Sequence, residues 1–472
     1  MQRLYMLLPV VIILLRKKMR RRYYKWASKP INENQLNHFI MNEEFLHYLW
    51  KYRLLEPELR TVLGDRLIII HPGEHNRDGG PDFFNARLKI NNTTWAGNVE
   101  IHVQASGWYK HKHHEDSAYD NIILHAVYDN DVDVKRLSEE KIPALVMKGH
   151  FPDYIYERYR YFQENSQWVP CQALIIDTDP FILDQWLPSL VVERLEKKIL
   201  IMKQSLEASK FDWEEIFYQN LAGSFGFRIN AQPFELLARS LPWKLLQKHR
   251  TNLFQLEALL FGQAGMLGQD FSEDYPRLLQ QEYRFLKEKY GLQEISGSLW
   301  KFLRLRPSNF PTVRIAQFAG LIHSAPDLFL YALECRDPKS LVDFFTVQAS
   351  SYWDTHFLFG RLSTFKRKLL GITSIRLLIV NMVVPFLFLY GDTKAVIDFK
   401  EKALAFLESL PPEDNSIINH WMEIGIFSQN ALFTQALLHL KKDYCDKKRC
   451  LECRIGKQLL GARKREEGGV RD

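Results

Sequence analysis

Five cysteines in 472 residues are too few for a disulfide-stapled framework, and three of them crowd into one stretch near the end. No clean repeat period emerges along the chain, so a solenoid is not expected. The apolar run at residues 7–15 falls short of the roughly 20 residues a membrane span needs. The basic block Arg16-Lys17-Lys18-Met19-Arg20-Arg21-Arg22 follows that run instead of preceding it, and no small-residue cleavage site closes it. A signal peptide has the opposite order. Charge of one sign is not in great excess either. The net charge is +7, and much of it sits in that block and in the tail after Lys457. Bulk charge is therefore a weak argument for a nucleic-acid partner. The small-residue patch Gly262-Gln263-Ala264-Gly265-Met266-Leu267 has no strand pattern before it, so it reads as close helix packing and not as a phosphate loop.

The chain does have length for two or three domains and, with 46% hydrophobic and 13% aromatic residues, ample material for cores. Residues 1–40 look separate from any domain and are expected to be an extension, in keeping with an over-extended start. Met41-Asn42-Glu43-Glu44-Phe45-Leu46 reads as the natural opening of a helix, with Phe45, Leu46, Leu49 and Trp50 at helical spacing. A cytoplasmic protein with no stable membrane association is expected. The divisions expected are an α/β domain at 41–150, a helical domain at 151–410, and C-terminal helices with the cysteine cluster and basic tail at 411–472.

The chemistry is concentrated in Gly79-Gly80-Pro81-Asp82-Phe83-Phe84 and Gly97-Asn98-Val99-Glu100-Ile101-His102. Phe84, Ala86, Leu88 and Ile90 alternate with Phe83, Asn85, Arg87 and Lys89, the period-two pattern of a strand. In the next run Val99, Ile101 and Val103 alternate with Glu100 and His102. Side chains at i and i+2 share a face of a strand, so this carboxylate and this imidazole can converge on one ion. Asp82 stands behind a Gly-Gly-Pro turn that can aim it across at Glu100. The bland reading keeps Asp82 as a turn cap and Glu100 on a solvated face.

A second cluster runs from Trp108 through His111, His113, His114, Glu115 and Asp116, and a further strand carries His125 in an apolar setting. These histidines suit metal ligation, phosphate contact or proton transfer. Their structural alternative is a polar helix start with one satisfied core histidine.

The two strand segments resemble the PD-(D/E)xK nuclease superfamily over roughly residues 43–130. Pro81-Asp82 matches the opening of one strand and Glu100-Ile101 the acidic position and spacer on the next, while His102 stands where the family has lysine. The fold implied is α+β: a small mixed-sheet PD-(D/E)xK nuclease-like domain, followed by a large all-helical region with a Cys-rich C-terminal end. The resemblance implies that Asp82 and Glu100 bind Mg²⁺ or Mn²⁺, with His102 acting as a base near neutral pH. Glu74 and Asp78 are further ligand candidates, and Glu44 or Glu43 is the candidate for an acidic residue from the preceding helix. His111 and His113 would lie near the phosphate.

Beyond residue 150 helical spacing dominates. The apolar stretch 377–390 is expected to be a buried helix broken at Pro385. Arg304-Leu305-Arg306-Pro307-Ser308-Asn309-Phe310-Pro311-Thr312-Val313-Arg314 is a loop opening a helix. Arg304, Arg306 and Arg314 either hold a phosphate backbone or brace an irregular loop. Cys445-x4-Cys450-x2-Cys453 suggests metal before disulfide, as zinc or an iron–sulfur cluster. His439 is the first candidate for a fourth ligand, with Cys171 and Cys335 as others.

Taken whole, the chain resembles an uncharacterised bacterial group, domain-of-unknown-function family 2851. The resemblance is carried by the two strand motifs, the Trp108 to His114 stretch, Leu303-Arg304-Leu305-Arg306-Pro307-Ser308-Asn309-Phe310-Pro311 and Cys450-Leu451-Glu452-Cys453. It implies no activity. Two functions are expected: a divalent-metal-dependent nuclease acting on DNA or RNA, or a catalytically inactive relative that binds nucleic acid or serves as a scaffold.

Overall fold

The computed structural model describes residues 41–461 except 137 and 326. The extension at 1–40 and the end of the basic tail lie outside the described residues. The chain divides into two compact units, one within Met1–Trp186, Trp421–Ile426 and Leu440–Asp472, the other within Leu187–His420 and Phe427–His439.

The first unit is built on a mixed sheet. Its strands are β1 (Leu59–Arg60), β2 (Arg66–His71), β3 (Glu74–His75), β4 (Phe83–Ile90), β5 (Thr93–Gln104), β6 (Ile122–Asp129) and β7 (Ala144–Val146). Their order is β1-β2-β4-β5-β6-β7, with β3 also paired to β4. Pairing is antiparallel as far as β5, then parallel from β5 to β6 and from β6 to β7. The parallel step requires a crossover, which residues 105–121 supply.

The helix Glu43–Lys51 starts where the sequence places it. Asn42 caps it by accepting from Phe45 N at 2.9 Å, and two acidic residues occupy its first turn. Phe45, Leu46, Leu49 and Trp50 are fully buried. Burial of each such side chain contributes about 1.5–3 kcal/mol. Trp50 Nε1 donates to Pro72 O at 2.9 Å, which ties the helix to the loop before β3.

Strand β4 departs from simple alternation. Phe83 pairs with Val99 but Ala86 pairs with Gly97, so an extra residue is inserted between them. Asn85 absorbs it at φ 56°. Phe83 is consequently buried with Ala86, Leu88 and Ile90, while Phe84 is only half-buried, reversing the expected faces at this end of the strand.

The second unit is predominantly helical. The all-helical region expected from sequence is not wholly so: His356–Leu358 and Arg361–Leu362 form a two-stranded ribbon, because the turn at Gly360 brings two extended segments together. The helix Ile372–Lys394 is long and apolar enough to cross a membrane, yet 67% of its most apolar window is buried inside the protein. It is a core helix. Pro385 does not break it, because a π turn over Ile379–Val383 adjusts the backbone just before the proline. The Gly262 patch is a packing contact, since a Cβ there would stand 2.0 Å from the Tyr283 ring.

Candidate metal centre

Asp82 opens β4 and reaches across to β5. Its Oδ2 accepts from Ile101 N at 2.9 Å, and its own N–H donates to Glu100 Oε2 at 3.1 Å. The two carboxylates are therefore neighbours, each accepting from a backbone N–H. Glu100 and His102 share a face of β5, and parallel register sets His125 of β6 beside Glu100. Glu100 is 4% exposed and His102 2%, so the face read from sequence as solvated is covered.

The crossover provides the cover. A short helix, Gly107–Lys110, lies directly on His102: a Cβ on Gly107 would meet the ring at 2.8 Å. Trp108 anchors this segment in a cluster with Tyr119, Ile122 and Val127. Lys112 then takes a left-handed conformation, φ 62°, and turns the chain back, which brings His111 and His113 to His102. His113 stacks on Tyr119 at 3.9 Å between centroids. Gly107→Ala is expected to push the His102 ring off its partners and weaken metal binding, while the variant keeps a cooperative melt. Unchanged affinity by calorimetric titration would refute this.

One ligating atom each from His102, His111 and His113 lie within 4.8 Å of one another, the only such trio among the described residues. His102 Nε2 is 3.2 Å from His111 Nδ1, and Glu100 Oε1 is 3.3 Å from His113 Nε2 and 3.8 Å from His102 Nε2. Donors about 2.05 Å from a tetrahedral ion stand ~3.3 Å apart. On its other side His102 Nδ1 is 2.8 Å from His125 Nε2. With its proton on Nδ1, His102 donates to His125 and frees the Nε2 lone pair, the orientation an outer histidine imposes on a ligand.

Burial, reinforced by the surrounding histidines, lowers the His102 pKa to about 2. Burial thus favours the neutral imidazole, the form that offers a lone pair. Burial likewise lowers His125 to about 4. Burial and the Asp82 charge push Glu100 up, against the pull of His113. His47, on the first helix, lies 3.2 Å from Asp82 Oδ2. Burial opposes its charge, but the Asp82 hydrogen bond and nearby acids prevail and raise its pKa above 6.5.

His47 takes the place expected of Glu44. Glu44 is exposed and lies among the Glu452, Arg449 and Arg77 charges; partial desolvation, then Glu452, raises its pKa. Only the position of His47, one turn beyond Glu43, hinted at its role. Among the described residues no contact joins Glu74 or Asp78 to the cluster. Glu74 is exposed on β3, and Asp78 lies in a turn organised by Asn76. Beside His47 a cavity of about 390 Å³ is lined by Lys51, His75, Arg77 and Lys457 and by the acids Glu44 and Glu452.

The cysteines divide differently from expectation. Cys171, Cys445, Cys450 and Cys453 all belong to the first unit. Burial, then the neighbouring thiols, raises the pKa of Cys171, Cys445 and Cys450. Gly456 N donates to Cys453 Sγ at 3.4 Å. His439 belongs to the second unit, where its Nε2 lies 3.3 Å from Glu193 Oε1, and Cys335 donates to Asp337 O. The loop arginines also separate: Arg304 and Arg306 are exposed, Arg314 is buried.

No curated protein and no solved structure matches the chain. A family model described as Protein of unknown function (DUF2851) matches residues 43–416, and the chain belongs to that family.

Proposed function

We propose that this protein is a divalent-metal-dependent phosphodiester hydrolase acting on nucleic acid, with its metal at Glu100, His102, His111 and His113 beside Asp82. The cluster of three imidazoles, two of them within 4 Å of the buried Glu100 carboxylate, carries this reading. Asp82 at the opening of β4 and Glu100-x-His102 on β5 support a PD-(D/E)xK-like core.

The donor set bears on the metal. Mg²⁺ prefers oxygen, and three ring nitrogens fit it poorly; Mn²⁺ or another imidazole-tolerant transition ion fits. Such an ion would polarise a phosphate oxygen and acidify a bound water. The chain's own contribution is positional. His47 holds Asp82, His125 orients His102, and Tyr119 stacks on His113. Lys51, Arg77 and Lys457, set against Glu44 and Glu452, leave a small excess of positive charge for a polyanion on the wall of the adjoining cavity.

A second reading, the inactive binding or scaffold protein, draws on the His47–Asp82 and His113–Glu100 pairs, which satisfy both carboxylates without metal. The deciding experiment is cleavage of labelled single- and double-stranded DNA and RNA with Mn²⁺ or Mg²⁺, beside an Asp82→Ala/Glu100→Ala variant. Cleavage with Mn²⁺ exceeding that with Mg²⁺, and lost in the folded variant, is expected. Absence of cleavage together with absence of metal binding establishes the second reading.

For the thiols we propose a structural metal or cluster on Cys171, Cys445, Cys450 and Cys453. Tetrahedral zinc and a [4Fe–4S] cluster both take four thiolates. Reduced thiols of this kind suit the cytoplasm.

A further inference from the structure

Arg314 is the side chain the metal centre leaves unexplained. It lies on the helix Pro311–Ser324 and is 5% exposed. Its guanidinium donates to Gln317 Oε1 at 3.0 Å, Asn309 Oδ1 at 2.7 Å and Ser374 Oγ at 3.0 Å. All three acceptors are neutral. The Phe227 ring stands 4.6 Å from the guanidinium carbon, and Nε is buried without a hydrogen-bond partner. Burial alone moves its pKa, down to about 10, with no acid opposing it. Buried charges are normally paired, because a low-dielectric interior penalises an isolated one.

This uncompensated cation lines a cavity of about 630 Å³. Arg228 and Arg306 line it as well, and no aspartate or glutamate does. Thr373 and Ser374, in the first turn of the 23-residue helix Ile372–Lys394, form another part of its wall. That helix has no side-chain cap: its N-cap is Gly371 in extended conformation. Its first N–H groups therefore lack a side-chain acceptor and add the positive end of the helix dipole. Phe225, Phe234, Leu305 and Leu377 give the wall an apolar part, beside the neutral polar side chains of Asn230, Ser308 and Asn309.

We infer that this cavity binds a small organic phosphate. Its phosphoryl group would be met by Arg314, Arg306 and the start of the helix, and its organic part would lie on the aromatic and aliphatic wall. A phosphoryl group at a helix N-terminus beside a guanidinium is a favoured pairing, and the volume suits a small molecule. The site belongs to the second unit and does not rest on the metal centre.

Phenyl phosphate titrated calorimetrically into the full chain tests the inference, with inorganic phosphate and benzoate in parallel. Phenyl phosphate is expected to bind at least about tenfold more tightly than benzoate. Arg306→Ala, which removes an exposed side chain, is expected to weaken it about tenfold with no change in melting temperature. Arg314→Lys, which keeps the charge and loses the planar fork, is expected to weaken it further. Asp82→Ala/Glu100→Ala is expected to bind it as wild type does, so failure here and failure of the metal centre are distinguishable. No binding of phenyl phosphate, or binding indifferent to both arginine variants, overturns the proposal. Tighter binding of benzoate overturns the phosphoryl assignment. Displacement of phenyl phosphate by a short single-stranded oligonucleotide of higher affinity overturns the small-molecule assignment.

Discussion

Glu100→Gln is expected to weaken Mn²⁺ binding at least about a hundredfold and to abolish metal-dependent cleavage, because the proposed site then retains no charged ligand facing the three imidazoles. The substitution preserves shape. An amide oxygen still accepts from Asp82 N, the bond Glu100 Oε2 makes at 3.1 Å. It also removes one of two adjacent, largely buried carboxylates, so the metal-free variant is expected to melt no lower than the metal-free wild type. Mn²⁺ should raise the melting temperature of the wild type alone, since a ligand stabilises only the state that binds it. Equal Mn²⁺ shifts in both proteins would remove Glu100 from the site. A variant that fails to fold would show instead that the carboxylate is structural.

The second large effect is a pH-dependent gain of stability in Glu257→Gln. Glu257 lies on the helix Leu253–Gln263 and is 1% exposed. Tyr275 donates to its Oε2 at 2.6 Å, and no basic side chain pairs with it among the causes that set its charge. Burial pushes its pKa up from 4.5 to about 7, with the Tyr275 and Ser350 hydrogen bonds pulling the other way. The folded value is above the unfolded one, so the native state favours the protonated form. Stability from this group is fully present below pH 4.5 and is lost as pH rises through 7. The loss saturates at about 3 kcal/mol. Glutamine cannot ionise. The variant is expected to match wild type at low pH and to exceed it by up to about 3 kcal/mol above pH 7. Urea unfolding across this range measures the difference, and two parallel stability curves would refute the assignment.

Several elements were legible because their signals are local. Asn42 before an acidic first turn and the spacing of Phe45, Leu46, Leu49 and Trp50 specify the first helix within itself. The alternation through Val99, Glu100, Ile101 and His102 specifies β5. The bulge at Asn85 was not legible, because no rule of alternation announces an inserted residue, and it exchanged the faces of Phe83 and Phe84. Pro385 was misread because a π turn upstream can absorb a proline that pattern alone treats as a break.

At the site, the sequence by itself determined that Glu100 and His102 share one face of a strand, a consequence of the two-residue period. It also determined that Asp82 follows a turn able to redirect it, and that histidines are dense in the segment that follows. Only the tertiary structure decided what those residues meet. Parallel pairing of β5 with β6 set His125 against His102, and the helix Glu43–Lys51 presented His47, not Glu44, to Asp82. The reversal at Lys112 carried His111 and His113 over the sheet. The same folding gathered Cys171 with thiols more than 270 positions later in one unit, and left Arg314 buried without an acid. Register, crossover and burial depend on contacts between residues distant in the chain, and no local pattern encodes them.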